Sequence, residues 1–326
     1  MNRRDFIGLL GGTAVALPRA ARAQHPKKPV VGFISPGSAE KSPYAKGFRL
    51  GLADAGYVEG SNVDIEYRWA EGKYDRLPAL AADLVAKHPA VILAAGGTTG
   101  VLPVKAATST IPILFFAGSD PVADGLVASF NRPGGRITGV YLMVSNLVGK
   151  QLEILHEIKP AAGTIGVLEN LASPGAEARI KVLREAAVTL GVKLDVLGAS
   201  VDEDFSKVFA HLAEQNTTAL VLSPDPYLNG QRERIAALAA AGRVAVIAPF
   251  REYAMAGGLM TYGPDLTEGY RLLGNYAGQI LKGANPATLP FQQATKVEFV
   301  VNLKAAKALG LTLPLPLIGR ADEVIE

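Results

Sequence analysis

Twice in this chain an apolar run of strand type ends in Asp-Pro-x-x-x-Gly. The first copy is Pro112-Ile-Leu-Phe-Phe-Ala-Gly-Ser-Asp120-Pro121, closing on Gly125, and the second is Ala219-Leu-Val-Leu-Ser-Pro-Asp225-Pro226, closing on Gly230. Asp-Pro alone is ordinary turn punctuation. One strand-to-loop design used twice, a domain's length apart, predicts two similar lobes. In an open parallel sheet, the loops at the carboxyl ends of the strands are where ligands sit. Two such loops facing each other predict a cleft.

The rest of the chain alternates strand and helix. Val30–Ile34, Val63–Tyr67, Ala90–Ala94, Ile111–Phe116 and Ile137–Tyr141 read as strands, the second of them edge-like. Helical spacing lies between them, over Tyr44–Ala55, Asp75–Ala86 and Val101–Ala107. The pattern then restarts. Strands are predicted at Thr164–Leu168, Val192–Leu197, Ala219–Leu222, Val244–Ala248, Gly257–Thr261 and Val297–Asn302. The intervening helices are Leu147–Ile158, Gly175–Leu190, Asp202–Gln215 (Asp202 as its N-cap), Gln231–Ala241 and Leu266–Leu281, with Leu303–Leu309 following the last strand. Alternation with apolar strands predicts parallel sheets covered on both faces. The fold class is therefore α/β, with two Rossmann-like doubly wound lobes and a hinge. The expected division is residues 28–143 plus about 250–282 in one lobe, and 144–249 plus about 290–326 in the other. Several crossings between lobes would form the hinge.

The N-terminus carries an adjacent pair, Arg3-Arg4, then an apolar stretch from Phe6 to Leu17 broken by Pro18, then Ala21-Arg22-Ala23. Charged, apolar and small-residue regions in that order describe an export signal over residues 1–23, and the paired arginines resemble a twin-arginine leader. The stretch is shorter than the roughly 20 residues that span a bilayer. The expected location is therefore periplasmic, with cleavage after Ala23. The sequence has no cysteine, which excludes disulfides, thiol chemistry and a lipid-anchored cysteine. The leader holds four arginines against one aspartate, and the remainder holds 29 basic and 29 acidic residues. A formally neutral chain offers no electrostatic footprint for nucleic acid.

Signatures of catalysis are missing. The four histidines lie far apart, with no His-Glu-x-x-His, so no metal site is expected. Gly-x-Ser-x-Gly is absent, and no dinucleotide fingerprint follows the first strand. No cofactor is expected. The strand-end loops instead offer groups suited to binding. Ser35 follows the first strand. Thr98 and Thr99 follow Gly96-Gly97 and open a helix, whose free amides suit a carboxylate. Asp120 and Asp225 follow their strands and could accept from an ammonium group. Tyr227 supplies an apolar face with a polar tip. Arg251 and Glu252 stand where the chain recrosses. Each also has a local role open to it: Thr98 or Asp120 as a cap, Arg251 and Glu252 as a pair. Together they could hold a zwitterion such as an amino acid. The rival reading is an exported enzyme acting on a small polar substrate. A repressor core of the same fold would need a DNA-binding headpiece where the leader stands.

Several segments in order carry a family resemblance. They include Val31-Gly-Phe-Ile-Ser35, Gly56-Tyr-Val-Glu-Gly60, Glu66-Tyr-Arg-Trp-Ala-Glu-Gly72 and Tyr74-Asp-Arg-Leu-Pro78. Ala95-Gly-Gly-Thr98, Ser129-Phe-Asn-Arg-Pro-Gly-Gly135, Pro249-Phe-Arg-Glu252, Gly257-Gly-Leu-Met-Thr-Tyr-Gly263 and Asn302-Leu-Lys-Ala-Ala-Lys-Ala-Leu-Gly310 continue it. The chain resembles ABC-transporter solute-binding proteins of the tryptophan/tyrosine-binding type from about residue 28 to the C-terminus. The resemblance implies a type 1 periplasmic-binding fold, a monomer that closes on a small-molecule solute, and an ABC permease as partner. It carries binding roles over to Ser35, Gly97, Thr98, Gly118, Asp120, Tyr141, Asn170, Asp225, Pro226 and Tyr227. The paired-arginine leader without a lipid-anchor cysteine departs from the lipoprotein members.

Overall fold

The computed structural model describes residues 28–39, 44–142, 144–294 and 296–326. The expected export leader and Met143, near the expected first crossing, lie outside the described residues. Strands β1 (Val30–Ser35), β2 (Asp64–Trp69), β3 (Val91–Ala94), β4 (Ile113–Ala117) and β5 (Ile137–Tyr141) come first. They are followed by β6 (Thr164–Glu169), β7 (Lys193–Gly198), β8 (Ala219–Leu222), β9 (Ala245–Ala248) and β10 (Met260–Pro264). The last three are β11 (Gln292–Gln293), β12 (Val297–Asn302) and β13 (Glu323–Ile325).

They form two sheets, in the orders β11-β5-β4-β3-β1-β2 and β13-β12-β10-β9-β8-β6-β7. Neighbours pair in parallel, except that β10 runs antiparallel to β12, Met260 facing Val301 and Pro264 facing Val297. Every residue of β3, β4, β8 and β9 is buried, as expected for strands covered on both faces. Alternate side chains feed opposite cores. In the first lobe Phe33 and Leu114 pack under the Tyr44–Asp54 and Leu266–Leu281 helices. Their neighbours Ile34 and Phe115 pack on the other face with Leu77 and Leu84. The second lobe repeats this, with Val167 and Val221 on one face and Leu168 and Leu222 on the other. The edge strand β2 is only half buried. No helix among the described residues is long and apolar enough to cross a membrane.

The crossings fall elsewhere than the sequence reading put two of them. β10 pairs with β9, Met260 against Ile247 and Thr261 against Ala248, so the segment from Arg251 to Pro264 stays with the second sheet. Only the helix beginning at Leu266 goes over, started by Asp265, whose Oδ1 accepts from the Glu268 amide at 3.2 Å. The chain then adds β11 to β5, Gln292 opposite Val140, and returns to the second sheet before Val297. The reassignment has a physical cause. Strand partners are chosen by non-local pairing, which short apolar runs leave open. One cap also moves. Asp202 is the first helical residue, not the N-cap; Asp204 Oδ2 takes the amides of Ser200 and Val201 instead.

Candidate ligand-binding cleft

The carboxyl ends of both sheets face one cavity of about 720 Å³, a volume that includes its mouth onto solvent. Residues beside two of the crossings contribute lining: Leu142 and Val144 at the first, Leu266 at the second.

One wall is aromatic. Tyr270 is stacked between Tyr44, with centroids 4.7 Å apart, and Phe116, at 5.0 Å. All three line the cavity. Offset stacking of this kind presents a flat apolar surface. The Tyr270 hydroxyl accepts from the Gly96 amide at 3.4 Å, which ties the slab to the loop after β3.

That loop is shaped by glycine. Gly96 and Gly97 have φ of +83° and +65°, a region L side chains rarely adopt. A Cβ on Gly96 would also meet Pro36 at 2.4 Å and Pro226, from the opposite lobe, at 3.1 Å. The turn opens the Thr98–Ala107 helix directly onto the cavity. Helix geometry leaves the amides of Thr98 and Thr99 without an intrahelical acceptor. Beside them, Ser119 Oγ donates to Asp124 Oδ2 at 2.5 Å and Thr98 Oγ1 to the same oxygen at 3.5 Å.

The second lobe supplies the polar wall. Asp225 follows β8 and caps the short Pro226–Gly230 helix, its Oδ1 accepting from the amides of Tyr227 at 2.9 Å and Leu228 at 3.2 Å. Asn170 Nδ2 adds a third bond at 3.2 Å. Tyr74, from the first lobe, donates its hydroxyl toward both carboxylate oxygens at 3.0 Å. Burial raises the Asp225 carboxyl above the usual range, and these donors pull it back. Burial likewise raises the Tyr74 hydroxyl well above its ordinary value, as does the neighbouring carboxylate. On the same wall as Asp225 lies a buried ion pair. Arg179 reaches Glu169, at the end of β6, through Nε at 3.0 Å and Nη2 at 2.6 Å, and Nη2 also touches Ser173 Oγ at 3.2 Å.

Of the residues singled out from the sequence, Gly96, Gly97, Thr98, Thr99, Gly118, Asp225 and Pro226 line the cavity. The others stand behind it or elsewhere. Ser35 is buried, its Oγ accepting from the Gly37 amide at 3.1 Å. Asp120 is exposed, its Oδ1 accepting the amides of Val122 and Ala123, so it shapes the turn. Asn170 supports Asp225. Tyr141 packs its ring on Phe130 at 5.3 Å. Tyr227 is buried in the second lobe's core and does not line the cavity, donating to Asp202 at 2.7 Å and stacking on Phe205. Arg251 is held by Glu323 at 2.7 Å and Glu298 at 3.3 Å, away from the cavity and not by Glu252. Sequence reasoning missed Arg179, Tyr44, Phe116 and Tyr270. The trace available was Glu169, a carboxylate ending an apolar strand with an arginine ten positions on.

A two-lobed α/β protein with a cavity enclosed between the lobes and lined by both is a bilobed solute-binding protein of the type 1 periplasmic-binding fold. Residues 29–325 match the family described as ABC transporter substrate binding protein, and the chain belongs to that family. A tyrosine-binding protein of Clostridioides difficile (strain R20291) is 26% identical over 267 residues, covering 82% of this chain and 76% of that one. A conserved domain protein of Vibrio cholerae O1 biovar eltor superposes with a TM-score of 0.82 at 26% identity, over 91% of this chain and 100% of that one. An ABC domain from Streptococcus pneumonia in complex with L-Trp gives 0.81 at 22% identity, over 91% of this chain and 100% of that one.

Proposed function

We propose that this chain captures a small organic solute of the amino-acid type outside the cytoplasm, closes on it, and presents the closed form to the permease of an ABC importer. The solute is released unchanged. One observation carries the reading: the cavity takes its aromatic slab and helix amides from one lobe and its Asp225–Arg179 wall from the other. A solute touching both walls stabilises only the closed arrangement, and this differential contact is the requirement for a ligand-driven shift. The names of two similar proteins, one tyrosine-binding and one in complex with L-Trp, support the chemical class. Gly97, Thr98, Gly118, Asp225 and Pro226 are the contacts we assign. Ser35, Asp120, Asn170 and Tyr227 hold the loops that present them. We further infer export by the twin-arginine leader with cleavage after Ala23, and action as a monomer without nucleic acid. A thermal-shift screen of amino acids and small carboxylates tests the reading. A true solute at 100 times its Kd adds about 2.7 kcal/mol of stability. Turnover of the bound compound by the purified protein would overturn it.

A further inference from the structure

The guanidinium of Arg179 is buried, its residue only 6% exposed, yet it is not fully used. Glu169 takes Nε and Nη2 in a fork-to-fork pair, which fixes the plane of the group. Nη1 has no partner among the described residues. It lies against Gly175, where a Cβ would stand 2.6 Å from it, and both residues line the cavity. A glycine at the start of the Ala176–Leu190 helix, at an ordinary φ of −94°, answers no backbone need. Its missing side chain leaves the space in front of Nη1 open. Across the same cavity stand the unbonded amides of Thr98 and Thr99, donors at a helix start that favour negative charge. Asp225, the carboxylate expected to meet an ammonium, already takes four donors on Oδ1.

We infer that Arg179 Nη1, aimed by Glu169 and uncovered by Gly175, is the group that grips the solute's carboxylate, and that recognition turns on this acid group. The inference rests on the proposed capture of an amino-acid-type solute in this cavity and names the determinant within it. Arg179 cannot simply be deleted, because an unpaired buried Glu169 is strongly destabilising. Gly175→Ala keeps both charges of the pair and sets a methyl group 2.6 Å from Nη1, filling the space that a solute carboxylate would enter.

The test is calorimetric titration of phenylalanine, leucine, the amide of each, and 3-phenylpropanoate into the full chain and into Gly175→Ala. We expect at least one acid to bind, its amide, which keeps the ammonium and lacks the carboxylate, to bind at least about tenfold more weakly, and Gly175→Ala to weaken the acid by a similar factor. A cooperative thermal melt of the unliganded variant checks that it folds. Binding of 3-phenylpropanoate, which lacks an amine, would support the acid as the determinant. Amides binding as tightly as acids, or acids binding Gly175→Ala undiminished, would overturn the role of Arg179 and leave solute capture standing. If no compound in the set binds, the amino-acid-type reading falls, and this inference with it.

Discussion

Glu252 shows how one side chain can set a pH response. Its Oε2 is buried with no hydrogen-bond partner among the described residues. Burial raises its carboxyl above the ordinary 4.5, Asp265 adds to the rise, and Arg232 and Arg251 oppose it. A carboxyl whose native pKa exceeds its unfolded value binds protons more tightly when folded. Its contribution to stability is therefore fullest in acid and is lost as pH rises upward from the unfolded value. Glu252→Gln removes the buried charge and keeps the shape. The variant should melt above the parent at about pH 7, and the gap should close as pH falls toward about 4. Paired thermal melts at the two pH values check it; a constant gap would refute the assignment. At this scale the sequence was a partial guide. Asp225 was legible because Asp-Pro after an apolar run marks a loop at a strand's carboxyl end, where ligands sit. Arg179 was not, because an arginine within a long amphipathic helix ordinarily faces water. Only the fold shows that Glu169 lies within its reach.

Helices and strands follow sequence period closely where the period is long or the run cleanly bounded. Ile137–Tyr141, Ala219–Leu222, Leu266–Leu281 and Val297–Asn302 form over the expected residues. The short Pro226–Gly230 helix and β13 have too few residues to show a period. What propensity does not encode is how close two helices approach. The Tyr44–Asp54 and Leu266–Leu281 helices meet through glycine. A Cβ on Gly51 would lie 1.8 Å from the Arg271 carbonyl oxygen, and one on Gly274 would lie 2.2 Å from that of Phe48. Backbone cannot yield as a side-chain tip can. Gly51→Ala should therefore cost about 1–3 kcal/mol by overpacking, despite its better helix propensity. Gly149 is the contrast, because a Cβ there meets only Ala186 Cβ at 3.6 Å. Gly149→Ala should stabilise by about 0.5–1 kcal/mol. Urea titrations of the two variants should move in opposite directions.

At the scale of the molecule, the duplicated Asp-Pro corner holds two unequal jobs. Asp120 is exposed and turns its own loop, whereas Asp225 reaches the other lobe through Tyr74. The lobes are also joined by Asn229 Nδ2, which donates to the Tyr44 hydroxyl at 2.5 Å, and by the Tyr227 amide, which donates to the Tyr74 hydroxyl at 3.0 Å. These bonds join the two lobes, so a closed complex keeps them whichever solute is bound. Their energy is shared by every solute and bears on affinity, while selectivity is left to the lining. A hydrogen bond to a charged group contributes about 1.5–3 kcal/mol. If the free protein rests open, Tyr74→Phe removes that amount from the closed complex alone. Affinity should then fall by about tenfold or more for every bound solute, with selectivity unchanged. The unfolding midpoint of the free variant should match the parent, because each lobe keeps its own core. Calorimetry across a set of solutes separates the outcomes. A uniform loss marks a closure latch, whereas a loss confined to one solute would place the Tyr74 hydroxyl in recognition instead.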